Sequence, residues 1–205
     1  LAANGGSSAS DACSAVIWTN DFTILSDDCG TTGSALVTFT ATDDCGNAST
    51  TSATFTIEDT TDPSIDTEAT DLNLECDDVD QQAAIDAWLA NNGGATSTDI
   101  CNTAAVTWSH DYSSGDENTD CGATGSVLVT FTATDNCGLT STTSATITIE
   151  DTTPPTIDVV AIDELVECDG LGNQADLDAW LAANGGSSAS DACSAVIWTN
   201  DFTIL

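Results

Sequence analysis

Residues 125–157 have the sequence GSVLVTFTATDNCGLTSTTSATITIEDTTPPTI, in which apolar and polar residues alternate. Val127, Val129 and Phe131 alternate with residues that are mostly threonine, and the same period of two returns over residues 145–149. A period of two is typical of a β-strand with one buried face. The Asn-Cys-Gly sequence between the two runs supplies a turn. The stretch therefore predicts two neighbouring strands joined by a short connection.

This stretch belongs to an internal repeat. A closely similar sequence occupies residues 33–65, and residues 1–25 recur without change at residues 181–205. A further match joins DLNLECDD at 71–78 to DELVECDG at 163–170. The copies follow one another at a period near 90 residues, which is too long for a solenoid coil and fits one small domain per repeat.

Proline marks the limits of the predicted domains. IEDTTDPSI and IEDTTPPTI each place proline between two strand-like runs, and proline is excluded from central strands. Such a short, proline-containing link predicts a semi-rigid joint between two domains. We therefore expect a partial domain at 1–59, a complete domain at 60–150 and a partial domain at 151–205. On this view the chain is one portion of a longer array, and further copies of the repeat in cis are its expected partners.

One segment of each repeat departs from the strand pattern. QQAAIDAWLANNGG at 81–94 places Ile85, Trp88 and Leu89 at helical spacing, and paired glycines end the pattern. An equivalent segment occupies 173–186. The tryptophan of this short helix is interpreted as a core residue, and stacking on a carbohydrate is the alternative. The predicted fold class is mainly β, with one short helix inserted in each repeat.

Composition excludes several functions. The chain has 34 acidic residues and no lysine or arginine, so its formal net charge is -34. Such a chain lacks the basic surface that nucleic acid requires, and no apolar run approaches the roughly 20 residues of a membrane-spanning helix. Its single histidine, His110, favours a structural role over a catalytic one, and repetition also argues against an enzyme. Nine cysteines without a CxxC pair indicate disulfides and an extracellular location.

The residues quoted above carry a family resemblance. The threonine-rich strand, the TATD-x-x-G turn, the second strand and DTTPPTI at 151–157 resemble the hyalin-type (HYR-like) immunoglobulin-like repeat. ECDG, DAWLAANGG and SDAC resemble the form of this repeat in giant bacterial surface adhesins. The resemblance implies tandem immunoglobulin-like β-sandwich domains in the shaft of a surface filament or adhesin. Identical chains side by side are further expected partners, and a glycan-binding module recognising surface glycans is the alternative function.

Acidic residues gather at the predicted joints. In an immunoglobulin-like sandwich, the loops that hold Asp99 and Asp135 lie at the same end as the preceding joint. Carboxylates crowded there repel one another unless a hard cation bridges them, and calcium takes six to eight oxygen ligands from such groups. Solvated turn aspartates are the alternative. The candidate calcium ligands are Glu58, Asp59, Asp62, Asp99, Asp135 and Asn136 at one joint, and Glu150, Asp151 and Asp191 at the next.

The sandwich topology that the resemblance implies also predicts disulfides within each repeat. Cys76 and Cys121 would lie at one pole of the complete domain, and Cys101 and Cys137 at the other. The poles would be about 20 Å apart for strands of this length. A disulfide needs a Cα separation of roughly 4.4–6.8 Å, so only cysteines at one pole can pair. The predicted bonds are Cys76–Cys121, Cys101–Cys137 and Cys13–Cys45.

Overall fold

A computed structural model describes residues 3–101, 104–115, 118–119 and 122–203 of the chain. The predicted mainly β fold with one short helix per repeat is confirmed. Neither helix is long or apolar enough to cross a membrane. The strands are Ile17–Asn20 (β1), Gly33–Thr42 (β2), Ala48–Ile57 (β3), Ser64–Thr67 (β4), Leu72–Glu75 (β5), Thr96–Thr98 (β6), Thr107–His110 (β7), Asn118–Thr119 (β8), Gly125–Thr134 (β9), Thr140–Glu150 (β10), Thr156–Val159 (β11) and Ser188–Ser190 (β12). The helices are Gln81–Ala90 (α1) and Gln174–Ala182 (α2).

In the described residues, the strands form four sheets. One sheet has the order β1-β2-β3, with antiparallel neighbours throughout. A larger sheet has the order β5-β10-β9-β7, and β8 also pairs with β9. In it, β5 joins the edge of β10 in parallel, so that Leu72 lies opposite Ile147 and Leu74 opposite Ile149. The pairs β4–β6 and β11–β12 form two small antiparallel sheets.

The alternation quoted from residues 125–157 sets the core of the larger sheet. On β9, Val129, Phe131 and Ala133 are fully buried, whereas Leu128, the residue before Val129, is exposed. On β10, Ile147 is likewise fully buried. Because side chains alternate between the two faces of a strand, a period of two puts these apolar groups on one buried face.

Helix α1 buries the two apolar residues that its sequence pattern selects. Ile85 and Leu89 are buried, one helical turn apart. The half-buried Trp88 donates its indole N–H to the carbonyl of Thr70 at 2.9 Å, which holds this side chain against the backbone. The turn that follows includes Gly93 at a φ of 63°, a left-handed conformation that glycine adopts without strain.

The chain folds into two compact units, and each unit combines separate stretches of sequence. The first contains residues 1–68, 95–109 and 131–143. The second contains residues 69–94, 110–130 and 144–205. Strands β4 to β10 all lie between residues 64 and 150. The domain limits drawn from the sequence, at 60 and 150, stay predictions.

Candidate functional site

In the first unit, two aspartates and a cysteine form a cluster. A carboxylate oxygen of Asp59, one of Asp99 and the sulfur of Cys101 all lie within 4.8 Å of one another, and all three residues are half-buried. Asp99 accepts a hydrogen bond from the backbone N–H of Cys101 at 2.8 Å. The carbonyl of Cys101 in turn accepts the backbone N–H of Thr31 at 2.9 Å. The cluster is therefore fixed by backbone hydrogen bonds from two loops.

The second unit repeats this arrangement 92 positions later. Asp151 lies with the sulfur atoms of Cys76 and Cys193, again within 4.8 Å. Asp191 accepts the backbone N–H groups of Cys193 and Ser194 at 2.9 and 2.8 Å. The Ser194 hydroxyl donates to Asp191 at 3.1 Å and to Asp151 at 3.4 Å, so it links the two carboxylates.

The backbone contact at the second cluster is also the same. Ala123 donates its N–H to the carbonyl of Cys193 at 2.9 Å, as Thr31 does to Cys101. Thr31 and Ala123 are equivalent positions of the repeat, and so are Cys101 and Cys193. The two clusters are thus one recurring structure. They differ in their third member: the first contains Asp99, whereas the second contains Cys76, bonded to Cys193, and the first has no cysteine at that position among the described residues.

The disulfides differ from those predicted. Cys29 is bonded to Cys137, with the two Cα atoms 5.2 Å apart, and Cys76 to Cys193, with a Cα separation of 5.7 Å. The predicted partners of Cys76 and Cys137 are therefore wrong. Cys121 lies outside the described residues. The predicted bond Cys13–Cys45 is also absent, because both residues are exposed free thiols. The other free cysteines of the described residues are Cys101 and Cys168.

The reason for the difference lies in how each unit is assembled. The prediction assumed that every repeat closes its bonds within itself. The structured units instead combine segments that are distant in sequence, and each contains one bond between cysteines 108 or 117 residues apart. Both separations exceed the period of the repeat. Each bond therefore joins one repeat to the next, and the nearest cysteine in space belongs to the neighbouring repeat.

The structure brings part of the predicted ligand set together. Asp59 meets Asp99, and Asp151 is linked to Asp191 through Ser194, as described above. The remaining predicted ligands that are exposed are Glu58, Asp62, Asn136 and Glu150.

Asp135 is the most buried of the predicted ligands, with 6% of its surface exposed. One carboxylate oxygen, Oδ1, accepts the backbone N–H groups of Cys137 and Leu139 at 2.8 and 2.9 Å. Its Oδ2 atom and that of Asp59 are buried without a hydrogen-bond partner. In the preceding repeat, Asp43 holds the equivalent position, and its Oδ2 accepts the amide of Asn47 at 2.8 Å. Leu139 replaces that asparagine, and its side chain has no donor for the Asp135 oxygen.

The surroundings of the two clusters shift the pKa values of Cys101 and Asp191 in opposite directions. Burial raises the pKa of the Cys101 thiol, and the negative charges of Asp59 and Asp99 raise it further. Backbone N–H groups of Cys193 and Ser194 lower the pKa of Asp191. Because the chain has no lysine or arginine, none of its side chains can neutralise these carboxylates with a permanent positive charge. Asp59 and Asp99 are paired carboxylates, and the Oδ2 atom of Asp59 is buried without a hydrogen-bond partner. Oxygen ligands of this kind are the ones that a hard cation such as calcium takes.

Sequence reasoning missed the contact between loops of successive repeats. Thr31 and Ala123 carry no side-chain chemistry that points to Cys101 or Cys193, since both contacts use backbone N–H groups. The sequence shows only that the cysteines recur at equivalent positions of successive repeats, and this recurrence is compatible with bonds within a repeat and between repeats alike.

Comparison with known proteins gives a weak structural neighbour. The extracellular repeats EC1-3 of mouse clustered protocadherin PcdhgC3 match with 13% sequence identity and a TM-score of 0.29. The match covers 64% of this chain and spans about half of the protocadherin structure, 48%. No protein-family model matches the chain. No curated protein matches it either.

Proposed function

We propose that this chain is a structural portion of an extracellular array of tandem β domains, the shaft of a bacterial surface filament or adhesin built from HYR-like repeats. The single observation that carries the proposal is that each disulfide joins one repeat to the next. Cys29–Cys137 and Cys76–Cys193 enclose 108 and 117 residues, and their loops overlap along the sequence. Tension applied along such a chain is borne by covalent bonds between neighbouring repeats.

The disulfides and the net charge also support the proposed location and solubility of the array. Disulfides persist in oxidising compartments, and this supports a surface or secreted position. A net charge of -34 keeps exposed domains apart and in solution. The role is mechanical rather than catalytic.

Electron microscopy of the source cells tests the proposal. Immunogold labelling with an antibody raised against residues 125–157 should decorate extracellular filaments at regular intervals along their length. Label restricted to a filament tip would favour the alternative, a glycan-recognition module. Label confined to the cell interior would refute both functions.

Calcium is the proposed ligand of the paired aspartates. Bound calcium would bridge Asp59 and Asp99 in one cluster, and Asp151 and Asp191 in the other, and relieve their repulsion. Calcium at about 100 times its Kd should raise the Tm by roughly 5–10 °C for a chain of this size. The double variant Asp59→Asn/Asp99→Asn should lose part of this gain, and the matched control Asp44→Asn, at an exposed site, should keep it. An unchanged Tm on adding calcium chloride to chelator-treated protein would refute the site.

A further inference from the structure

The described chain has two disulfides, Cys29–Cys137, which we call the first bond, and Cys76–Cys193, the second bond. In each bond, one cysteine donates its backbone N–H to the aspartate two residues before it, at 2.8 Å for Asp135 and 2.9 Å for Asp191. The other cysteine of each bond has an exposed aspartate next to it in the sequence, Asp28 or Asp77. Because these aspartates are shared equally, they do not distinguish one bond from the other.

A further carboxylate lies at the second bond. An oxygen of Asp151 is within 4.8 Å of the sulfur atoms of both Cys76 and Cys193. Backbone contacts fix this arrangement, since the N–H of Cys76 donates to the carbonyl of Glu150, the residue before Asp151, at 2.8 Å. Among the described residues, no carboxylate oxygen has such a position at the first bond. The second bond therefore has one more negative charge beside its sulfur atoms.

Burial directs an attacking thiol to one sulfur of the second bond. Cys193 is buried, with 8% of its surface exposed, whereas Cys76 is half-buried. A thiol from solution therefore reaches the sulfur of Cys76, beside the half-buried Asp151. The species that attacks a disulfide is the thiolate anion. Because like charges repel more strongly where water is partly excluded, Asp151 opposes the approach of a negatively charged thiolate.

The first bond has a hydroxyl group beside one of its sulfur atoms. The buried Thr32 places its Oγ1 atom 3.2 Å from the sulfur of Cys29. The backbone N–H of Cys29 donates to this oxygen at 3.1 Å, and the hydroxyl donates to the carbonyl of Cys29 at 2.6 Å. When the bond breaks, the Cys29 thiolate becomes a charged acceptor, and hydrogen bonds to charged acceptors are the stronger ones. Thr32 therefore stabilises Cys29 as the leaving group, and a better leaving group speeds exchange.

We propose that the two bonds differ in their reactivity toward anionic thiols. The first bond is exchangeable, because Thr32 stabilises its leaving sulfur. The second bond is protected, because Asp151 repels the attacking thiolate. This difference is a property of the bonds themselves, and it holds whether or not the array is part of a filament.

Reduction of the first bond by glutathione proceeds in two exchanges. A glutathione thiolate attacks the sulfur of Cys137, the bond between the two cysteine sulfurs breaks, and Cys29 leaves as a thiolate. A second glutathione thiolate attacks the glutathione sulfur of the mixed disulfide and releases Cys137 as a thiolate. One protein disulfide is thereby reduced to two thiols, and two glutathione molecules are oxidised to one glutathione disulfide. The protons that glutathione loses pass through solvent to the two protein thiolates.

The protected bond is the one that limits extension of the chain. Reduction of the first bond leaves the second bond intact, with a sequence separation of 117 residues between its cysteines. Because the two loops overlap, a chain pulled from its ends is held at Cys76 and Cys193 in both states. The chain can therefore exchange its first bond with thiols of the medium without becoming longer.

Timed reduction of the full chain tests the proposal. Folded protein is mixed with reduced glutathione at pH 8 in the presence of EDTA, which keeps cations away from Asp151. Samples are quenched with N-ethylmaleimide, digested with pepsin and mapped by mass spectrometry. The first bond should be reduced about tenfold faster than the second. To confine exchange to the two bonds, the protein carries Cys13→Ser, Cys45→Ser, Cys101→Ser, Cys121→Ser and Cys168→Ser.

A charge variant and a second reductant isolate the effect of Asp151. Asp151→Asn should speed the reduction of the second bond by glutathione about threefold, the effect of one charge at a half-exposed site. Cysteamine carries an ammonium group that offsets the charge of its thiolate, so the same variant should show no such gain with cysteamine. The control is Asp178→Asn, which removes an equal charge at an exposed position of helix α2 and should leave both rates unchanged.

A pair of variants isolates the effect of the hydroxyl group. Thr32→Val removes the hydroxyl and should slow the reduction of the first bond by glutathione about threefold. Thr32→Ser keeps a hydroxyl at the same position and should retain the rate of the parent protein. This comparison separates the hydrogen bond to the leaving sulfur from a general loosening of the fold, which would speed reduction in the valine variant.

Any of three results would overturn the proposal. They are equal reduction rates of the two bonds in glutathione, an Asp151→Asn variant that gains as much with cysteamine as with glutathione, and a Thr32→Val variant that is reduced as fast as Thr32→Ser. None of them bears on immunogold labelling of extracellular filaments, so they leave the test of the proposed function unaffected.

Discussion

The overlap of the two disulfide loops leads to an unusual mechanical prediction. The cysteines occur in the order 29, 76, 137, 193, and they are paired first with third and second with fourth. A disulfide keeps the residues inside its loop from extending when the chain is pulled from its ends, and this length is called hidden length. Cys76–Cys193 alone hides 117 residues, and Cys29–Cys137 alone hides 108. With both bonds intact, the hidden length is the larger of the two values rather than their total, because the loops overlap.

The expected extensions follow from the length of an extended chain, about 3.5 Å per residue. Cys29→Ser should add no contour length, because Cys76–Cys193 still hides 117 residues. Cys76→Ser should add roughly 30 Å, the difference between the two loops. Removing both bonds should release about 400 Å.

Single-molecule force spectroscopy on the chain tethered at both termini measures these lengths. The matched comparison uses Cys29→Ser, Cys76→Ser, the double variant and the reduced parent protein. The three bonds that the sequence predicted, all within repeats, would hide only about 77 residues, or roughly 270 Å. A release of that size on reduction, or a large release from either single variant, would refute the bonds between repeats.

Added sodium chloride should raise the Tm in a thermal melt, because screening weakens repulsion among acidic groups and the chain has no lysine or arginine whose ion pairs salt could weaken; a fall in Tm would contradict this. Alkylation of Cys101 by iodoacetamide at pH 8 should be slow because its pKa is raised, and Asp59→Asn should accelerate it by removing a nearby negative charge; an unchanged rate would show that Asp59 does not act on the thiol. Ile147→Ala should cost about 2–5 kcal/mol of unfolding free energy in a denaturant titration, whereas Phe55→Ala at the exposed equivalent site should change it by only about 0.5 kcal/mol; equal losses would show that the two sites are equally buried.

The mainly β fold could be predicted because its signal is local. Val129 and Phe131 lie two residues apart on a strand, and that spacing alone puts them on one face. Ile85 and Leu89 lie four apart, which does the same on a helix. Neither conclusion depends on knowing the distant segment that covers the face.

The disulfide partners could not be predicted in this way. Cys29 and Cys121 occupy equivalent positions of the repeat, in similar sequence surroundings. The sequence around Cys137 does not determine which of these two cysteines becomes its disulfide partner. The choice depends on which loops of successive repeats lie together, as the contacts of Thr31 with Cys101 and of Ala123 with Cys193 show.

The two identical segments of 25 residues separate local from tertiary effects within one molecule. The Asn-Gly-Gly turn is the same in both: Asn4 and Asn184 have φ values of 54° and 53°. Residues 17–20 form a strand and residues 197–200 do not, because only the first copy meets β2.

At another position of the same two segments, the second copy forms a strand and the first copy does not. Residues 188–190 form a strand against β11, and residues 8–10, of identical sequence, lie in no strand. The local sequence is sufficient for the turn, since Asn and Gly tolerate a left-handed backbone without contacts from other segments. The strands were decided by tertiary structure, because a strand's hydrogen bonds exist only where another strand is present to receive them.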